Sequence, residues 1–364
     1  MKKMWLATVM MTALFIVITG CGANSENSQL DSSMEKNKQN NTDVTTEEQN
    51  DQKDNDQSSE ASAVQNADTK EEDPSIVYMT KDISPEGLMR IYKALGREAS
   101  GKVAVKVHMG EPGGNNYLKP DLVKDLVLSV NGTFVDSNTA YGGLRANTAA
   151  HMQAAEDHGF TAYTSVDILD AEGEITLPIE NGKHLKEDVV GSHYENYDFI
   201  IVLSHFKGHA MGGFGGAIKN MSIGFASARG KNLIHTAGKY ETNRWLSGSY
   251  DQLEFLESMA EAAKAIVDDA GENILYINVM NNLSIDCDCD SSPAAPRLAD
   301  IGILASLDPV ALDKACVDLI FSADETESAT LRTRINSRQG THTLDYAEEL
   351  GIGSQKYELV MIDD

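Results

Sequence analysis

The chain has 364 residues, 41% of them hydrophobic, and a formal net charge of −26. Nothing in that balance is basic enough to suggest nucleic acid, so no nucleic-acid partner is expected. Four cysteines in a chain of this length exclude a small disulfide-framed domain.

The first elements concern address. Lys2 and Lys3 precede an apolar run from Trp5 to Ile18 that is short for a membrane span. The run ends in Ile18-Thr19-Gly20-Cys21, the pattern of a bacterial lipoprotein signal. Residues 1–20 are therefore expected to be a signal peptide. Cys21 is the lipidation candidate, its acyl chains together anchoring the protein at the extracytoplasmic face of the cell membrane. An ordinary secretory signal or an uncleaved anchor is the alternative. Residues 21–74 are almost devoid of large apolar side chains and carry a charge of about −10, from 14 acidic and 4 basic residues. Such a segment cannot bury enough apolar surface to offset chain entropy, which predicts a disordered, self-repelling linker.

From residue 75 to residue 364 the pattern is globular, with strands alternating with helices. Strands are expected at 76–79, 103–107, 133–136, 197–203, 274–279, 301–305 and 357–361. The stretch YDFIIVL at 197–203 is apolar enough to be buried on both faces. Helices are expected at 85–95, 120–130, 147–158, 218–223, 249–267, 308–321 and 343–350. Ser84-Pro85-Glu86 and Asp308-Pro309 mark two of their starts. The alternation predicts an α/β fold with a mostly parallel sheet and flanking helices. Ligands in such folds sit at the carboxyl ends of strands. That rule directs attention to the loops carrying His108, Asp136 with Asn138, and residues 204–220.

The last of these, SHFKGHAMGGFGGAIKN, places five glycines beside His205, Lys207, His209 and Lys219. A strand, a glycine loop and a helix bearing lysine suit an anion cradle, in which backbone N–H groups and the helix dipole face the ligand. The Walker and dinucleotide spacings are both missing. Glycines also let two backbones pack closely, so both explanations stand. His205 and His209 are four apart, a spacing that suits a metal on a helix, but the glycines argue against a helix here.

Asp286-Cys287-Asp288-Cys289-Asp290 admits three readings. It is a metal site completed by His205 or His209, a redox-active cysteine pair, or a polar loop with unpaired thiols. Cys316 lies mid-helix and is expected in the core.

Five motifs then occur in one order: VAVK (103–106), SHFKGH (204–209), GGAIKN (215–220), DCDC (286–289) and DPVALD (308–313). Together they resemble the DUF362 family, a domain of unknown function often described as iron–sulfur centre proteins. The likeness runs from about Ile76 to the C-terminus. It implies that Lys106, Lys207, His209, Lys219, Asn220, Cys287, Cys289, Asp308 and Asp313 fall on recurrent positions. Many relatives carry a ferredoxin-like insert with two C-x₂-C-x₂-C-x₃-C-P runs. Here Lys239 to Gly248 crosses that place without a cysteine, so no [4Fe–4S] cluster is expected.

The expected function is a membrane-tethered domain that binds a metal, such as a divalent ion, or an anionic small molecule. The ligand-binding candidates are Lys106, Lys207, His209, Lys219, Asn220, Asp308 and Asp313, and the metal candidates are Cys287, Cys289, His205 and His209. A solute-binding lipoprotein and a thiol redox accessory are the alternatives.

Overall fold

Local chemistry starts the helices where the sequence places them. After β1 (Ser75–Thr80), α1 (Pro85–Ala94) opens with proline at its first position. The Ser84 hydroxyl accepts from the Gly87 N–H at 3.0 Å, satisfying a donor that the helix itself cannot. β2 (Val103–Lys106), α2 (Pro120–Ser129), β3 (Thr133–Asp136), α3 (Thr148–Asp157) and β4 (Val166–Ile168) follow. Asn147 caps α3, and Gly159 turns the chain out of it at φ +86°. The computed structural model describes residues 73–363. The signal segment, Cys21 and the linker through residue 72 lie outside the described residues. Among the described residues no helix is long and apolar enough to cross a membrane.

Two pairs of short strands were not expected. β5 (Glu174–Pro178) and β6 (Glu187–Gly191) form an antiparallel hairpin. After β7 (Phe199–His205), β8 (Lys207–His209) and β9 (Gly213–Gly215) make a small antiparallel ribbon from the glycine stretch. Then come α4 (Ala217–Phe225), α5 (Ala228–His235), α6 (Gln252–Ala270), β10 (Ile274–Met280), β11 (Gly302–Ser306), α7 (Pro309–Ser322), α8 (Glu325–Ser337), α9 (His342–Glu349) and β12 (Tyr357–Met361). Helices α5 and α8 were missed in the sequence although Ser227 and Asp324 cap them by ordinary side-chain bonds.

The main sheet has eight strands in the order β12-β1-β11-β10-β7-β2-β3-β4. The block from β10 through β7, β2 and β3 to β4 is parallel, as is β1 with β12, while β11 runs antiparallel to both its neighbours. The fold is thus α/β with a mostly parallel sheet. Every residue of β7 is buried, because both faces are covered. Ile200 and Val202 join one apolar cluster with α4, α6 and α7, while Phe199, Ile201 and Leu203 join another with α1 and α2. Each such side chain contributes about 1.5–3 kcal/mol on burial, so a continuously apolar strand belongs at the sheet's centre. The parallel block also points the carboxyl ends of β2, β3, β7 and β10 to one edge.

Candidate functional site

That edge holds a cavity of about 540 Å³. The end of β2 supplies Lys106 and His108, and the end of β3 supplies Asp136 and Ser137. The glycine stretch supplies His209, and α4 supplies Lys219 and Asn220. Lys231 and His235 come from α5, and Cys287 and Cys289 from the loop after β10. A second hollow of about 40 Å³ lies among His205, Lys207, His209, Lys219 and Cys287. Residues 205–220 and the DCDC loop therefore meet.

The floor is a network of charges. Lys106 is 1% exposed and donates to Val107 O at 2.9 Å, Asp136 Oδ1 at 3.0 Å and Asn220 Oδ1 at 3.0 Å, so all three of its protons are placed. A Cβ on Gly224 would meet Lys106 Nζ at 2.6 Å, so the glycine makes room for the ammonium. The Asn220 amide donates to Lys106 O, Leu203 O and Ser204 Oγ at 3.1–3.2 Å, stitching α4 to β2 and β7. Burial opposes ionisation of Asp136, but Lys106 and His151 hold its carboxyl well below the usual range. Buried Arg145 donates to Glu111 Oε2 at 2.9 Å, to the Tyr141 hydroxyl at 2.8 Å and to His108 Nε2 at 3.0 Å. Pairs of this kind fix geometry more than they stabilise, because desolvation offsets most of their attraction.

Acceptors run short on this floor. Gly110 N–H and Arg145 both aim at His108, at Nδ1 and Nε2. Burial and the Arg145 charge keep that ring neutral, and a neutral ring offers one lone pair. His209 Nδ1 accepts from the Gly212 N–H at 2.8 Å. Burial, and then the Lys219 charge, keep this ring neutral too, so its proton sits on Nε2. Lys231 is buried and donates to Ala226 O, with burial lowering its ammonium to about 8. Half-buried Lys219 has no hydrogen bond or ion pair among the described residues, and burial with Lys207 and Lys106 nearby lowers it to about 7. Among the described residues no acid at the cavity forms an ion pair with Lys219 or Lys231. Asp136 and Glu111 are engaged as described, Asp286 pairs with Arg334 at 3.4 Å, and Asp290 is exposed. A wall of His235 stacked on Trp245 at 4.2 Å, with Ile223 and Met211, gives the cavity an apolar side.

The glycines serve protein packing. A Cβ on Gly208 would lie 2.4 Å from Ile285 O, so that glycine lets the ribbon touch the DCDC loop. A Cβ on Gly216 would lie 2.2 Å from Asp313 Oδ1. That carboxylate accepts from the Ala217 and Ile218 N–H groups at 2.7 and 3.0 Å. The positive end of α4, expected to cradle a ligand anion, thus holds a carboxylate of the chain itself. Burial pushes Asp313 up to about 6, against the pull of Asn278 and those two N–H groups.

Of the nine residues on recurrent positions, seven surround the two hollows: Lys106, Lys207, His209, Lys219, Asn220, Cys287 and Cys289. Asp308 and Asp313 line neither. Asp308 caps α7 through the Val310 and Ala311 N–H groups and binds Ser75 and Ser354, which is a structural post. Lys207 pairs with buried Asp288. The metal candidates divide. His209, Cys287 and Cys289 each offer a ligand atom within 4.8 Å of the others and could hold a metal. His205 is not in that group. Its Nδ1 meets Asp288 at 2.9 Å and its Nε2 meets Asn281 O at 2.6 Å, so both ring nitrogens face oxygens of the chain. Two features oppose a metal at the trio. The two sulfurs are joined in a disulfide, and a thiolate ligand requires the reduced pair. A metal-bound histidine ordinarily donates its other N–H to an acceptor, whereas His209 Nδ1 faces two backbone donors. Cys316 is buried in α7, as expected. Sequence reasoning missed Arg145, Glu111 and Lys231. The turn Gly142-Gly143, both at positive φ, was the available sign that the chain reverses to bring Arg145 inward.

No curated protein matches the chain. Among solved structures it is similar to the lactate racemase apoprotein from Thermoanaerobacterium thermosaccharolyticum, with a TM-score of 0.36 and 12% identity over 79% of this chain and 83% of that one. It is also similar to a protein from Thermotoga maritima, with a TM-score of 0.35 and 14% identity over 58% of this chain and 53% of that one. Both likenesses are too distant to extend to function. The DUF362 profile, described as a domain of unknown function, matches residues 103–318, and the chain therefore belongs to the DUF362 family.

Proposed function

We propose that this chain is a lipid-anchored extracytoplasmic protein whose domain binds a small anionic molecule in the cavity at the carboxyl edge of the sheet. The anchor at Cys21 rests on the sequence of the signal alone. One observation carries the binding reading: the floor has more donors than acceptors. Lys219 Nζ has no partner among the described residues, His209 directs its proton through Nε2, and two donors compete for His108. A carboxylate or phosphate brings the missing lone pairs, and charge-assisted bonds in such a setting are about twice as strong as neutral ones. The apolar side offers room for a carbon skeleton beside the charged group.

Calorimetry with a panel of small carboxylates and phosphates and their neutral amide or alcohol counterparts tests this. Anions should bind and neutral counterparts should not. Lys219→Met should weaken the best anion about 10- to 100-fold, the worth of a hydrogen bond to a charged group. Equal affinity for neutral counterparts would refute the proposal. A solute-capturing lipoprotein and an enzyme share this pocket chemistry, and turnover of the bound anion separates them. The disulfide between Cys287 and Cys289 favours a second reading, a thiol redox accessory, because the pair lines the same cavity.

A further inference from the structure

Four lysines reach the two hollows, and three of them have a partner. Lys106 has three acceptors, Lys207 has Asp288, and Lys231 has the Ala226 carbonyl. Lys219 alone among the four has no partner among the described residues. It stands in the first turn of α4, where the positive end of the helix disfavours an ammonium. Its stem runs past Gly215, where a Cβ would meet Lys219 Cδ at 3.3 Å, and it lines both the large cavity and the small one behind it. The Lys207 and Lys106 charges repel it as well, outweighing the attraction of Asp288. An amine becomes a nucleophile when burial and neighbouring cations leave it unprotonated at neutral pH.

We infer that Lys219 is the nucleophile of this cavity and condenses with the carbonyl carbon of a small anionic aldehyde or 2-oxo acid. The inference rests on the anion-binding reading above and names its substrate class. The lone pair of Lys219 Nζ attacks the carbonyl carbon, forming a C–N bond. The carbonyl oxygen then leaves as water with the two amine protons, and an imine remains. No oxidant or reductant enters. The lowering of Lys219 to about 7 agrees with this placement, since a large fraction of the amine is then neutral at pH 7.

The test uses the full chain, glyoxylate as the anionic aldehyde, and cyanoborohydride to reduce any imine to a stable amine. Peptide mapping by mass spectrometry at pH 7 reads each lysine, with exposed Lys102 and Lys356 as internal standards. Lys219 should be modified at least about 10-fold faster than these two, from its larger neutral fraction. Glycolate, the same anion without the carbonyl, should slow that modification. The Lys219→Arg variant should lose the fast site while melting cooperatively. If glycolate binds by calorimetry but Lys219 is modified no faster than the standards, the nucleophile inference is overturned and the anion pocket stands. If glycolate neither binds nor protects and Lys219 is not fast, both fall. If Lys219 is fast with neutral formaldehyde and glycolate has no effect, the amine is reactive but its anionic substrate class is overturned.

Discussion

Asp188 offers a test of how this interior handles charge. It sits on β6 at 1% exposure, and among the described residues its carboxylate oxygens have no well-aligned hydrogen bond, the Val189 N–H exerting only a weak pull. Burial pushes its carboxyl from 3.8 up to about 8, against the Val189 N–H and the Lys231 charge. The folded chain therefore keeps a proton that the unfolded chain releases. Stability contributed at this position is highest below the unfolded value, falls as pH rises from about 4, and levels off above about 8. With these two values, the loss between pH 5 and pH 7 comes to roughly 2.5 kcal/mol. Asp188→Asn has nearly the same shape and no charge to lose. Any fixed cost of its buried amide shifts its curve without tilting it. Urea unfolding followed by circular dichroism at pH 5, 6 and 7 should show the variant gaining on the wild type by about 2.5 kcal/mol across that range. Parallel curves for the two proteins would refute the reasoning, because they would mean that Asp188 ionises as freely folded as unfolded.

Gly216→Ala should drive a methyl into Asp313 and lift the carboxylate from α4. A cost of about 1–3 kcal/mol is expected for such overpacking, read as a melting temperature lowered by several degrees; an unchanged melt would show that the contact relaxes freely. Cobalt(II) should give a thiolate charge-transfer band only after the Cys287–Cys289 disulfide is reduced, and a band in the oxidised chain would contradict the pairing described. Cys21→Ser should move the protein from the membrane fraction to the soluble one. Continued sedimentation with membranes would remove the lipid anchor from the proposal.

Much of the framework is written in neighbouring residues. Ser84-Pro85 and Asp308-Pro309 start helices because the side chain that satisfies the first N–H groups lies one or two positions away. YDFIIVL predicts a central strand because its apolarity on both faces can be buried nowhere else. The weakly apolar β5–β6 hairpin and α8 escaped notice because neither shows a strong period, and their place is set by what they pack against.

The site divides along the same line. Sequence alone brought forward the glycine stretch and the DCDC loop, and the parallel sheet expected from the alternation directed attention to its carboxyl edge. It could not tell which polar groups have partners. Asp313, proposed as a ligand residue, crosses 96 positions to cap α4, and Asp288 crosses 81 to neutralise Lys207. The same folding leaves Lys219 Nζ without a partner among the described residues. Helix starts and buried strands follow from the chemistry of adjacent residues, so the sequence determined them. Charge pairing depends on which distant segments the chain's crossovers bring within a few ångströms, and in a desolvated interior that pairing decides which groups remain for a ligand. Only the tertiary structure decides it.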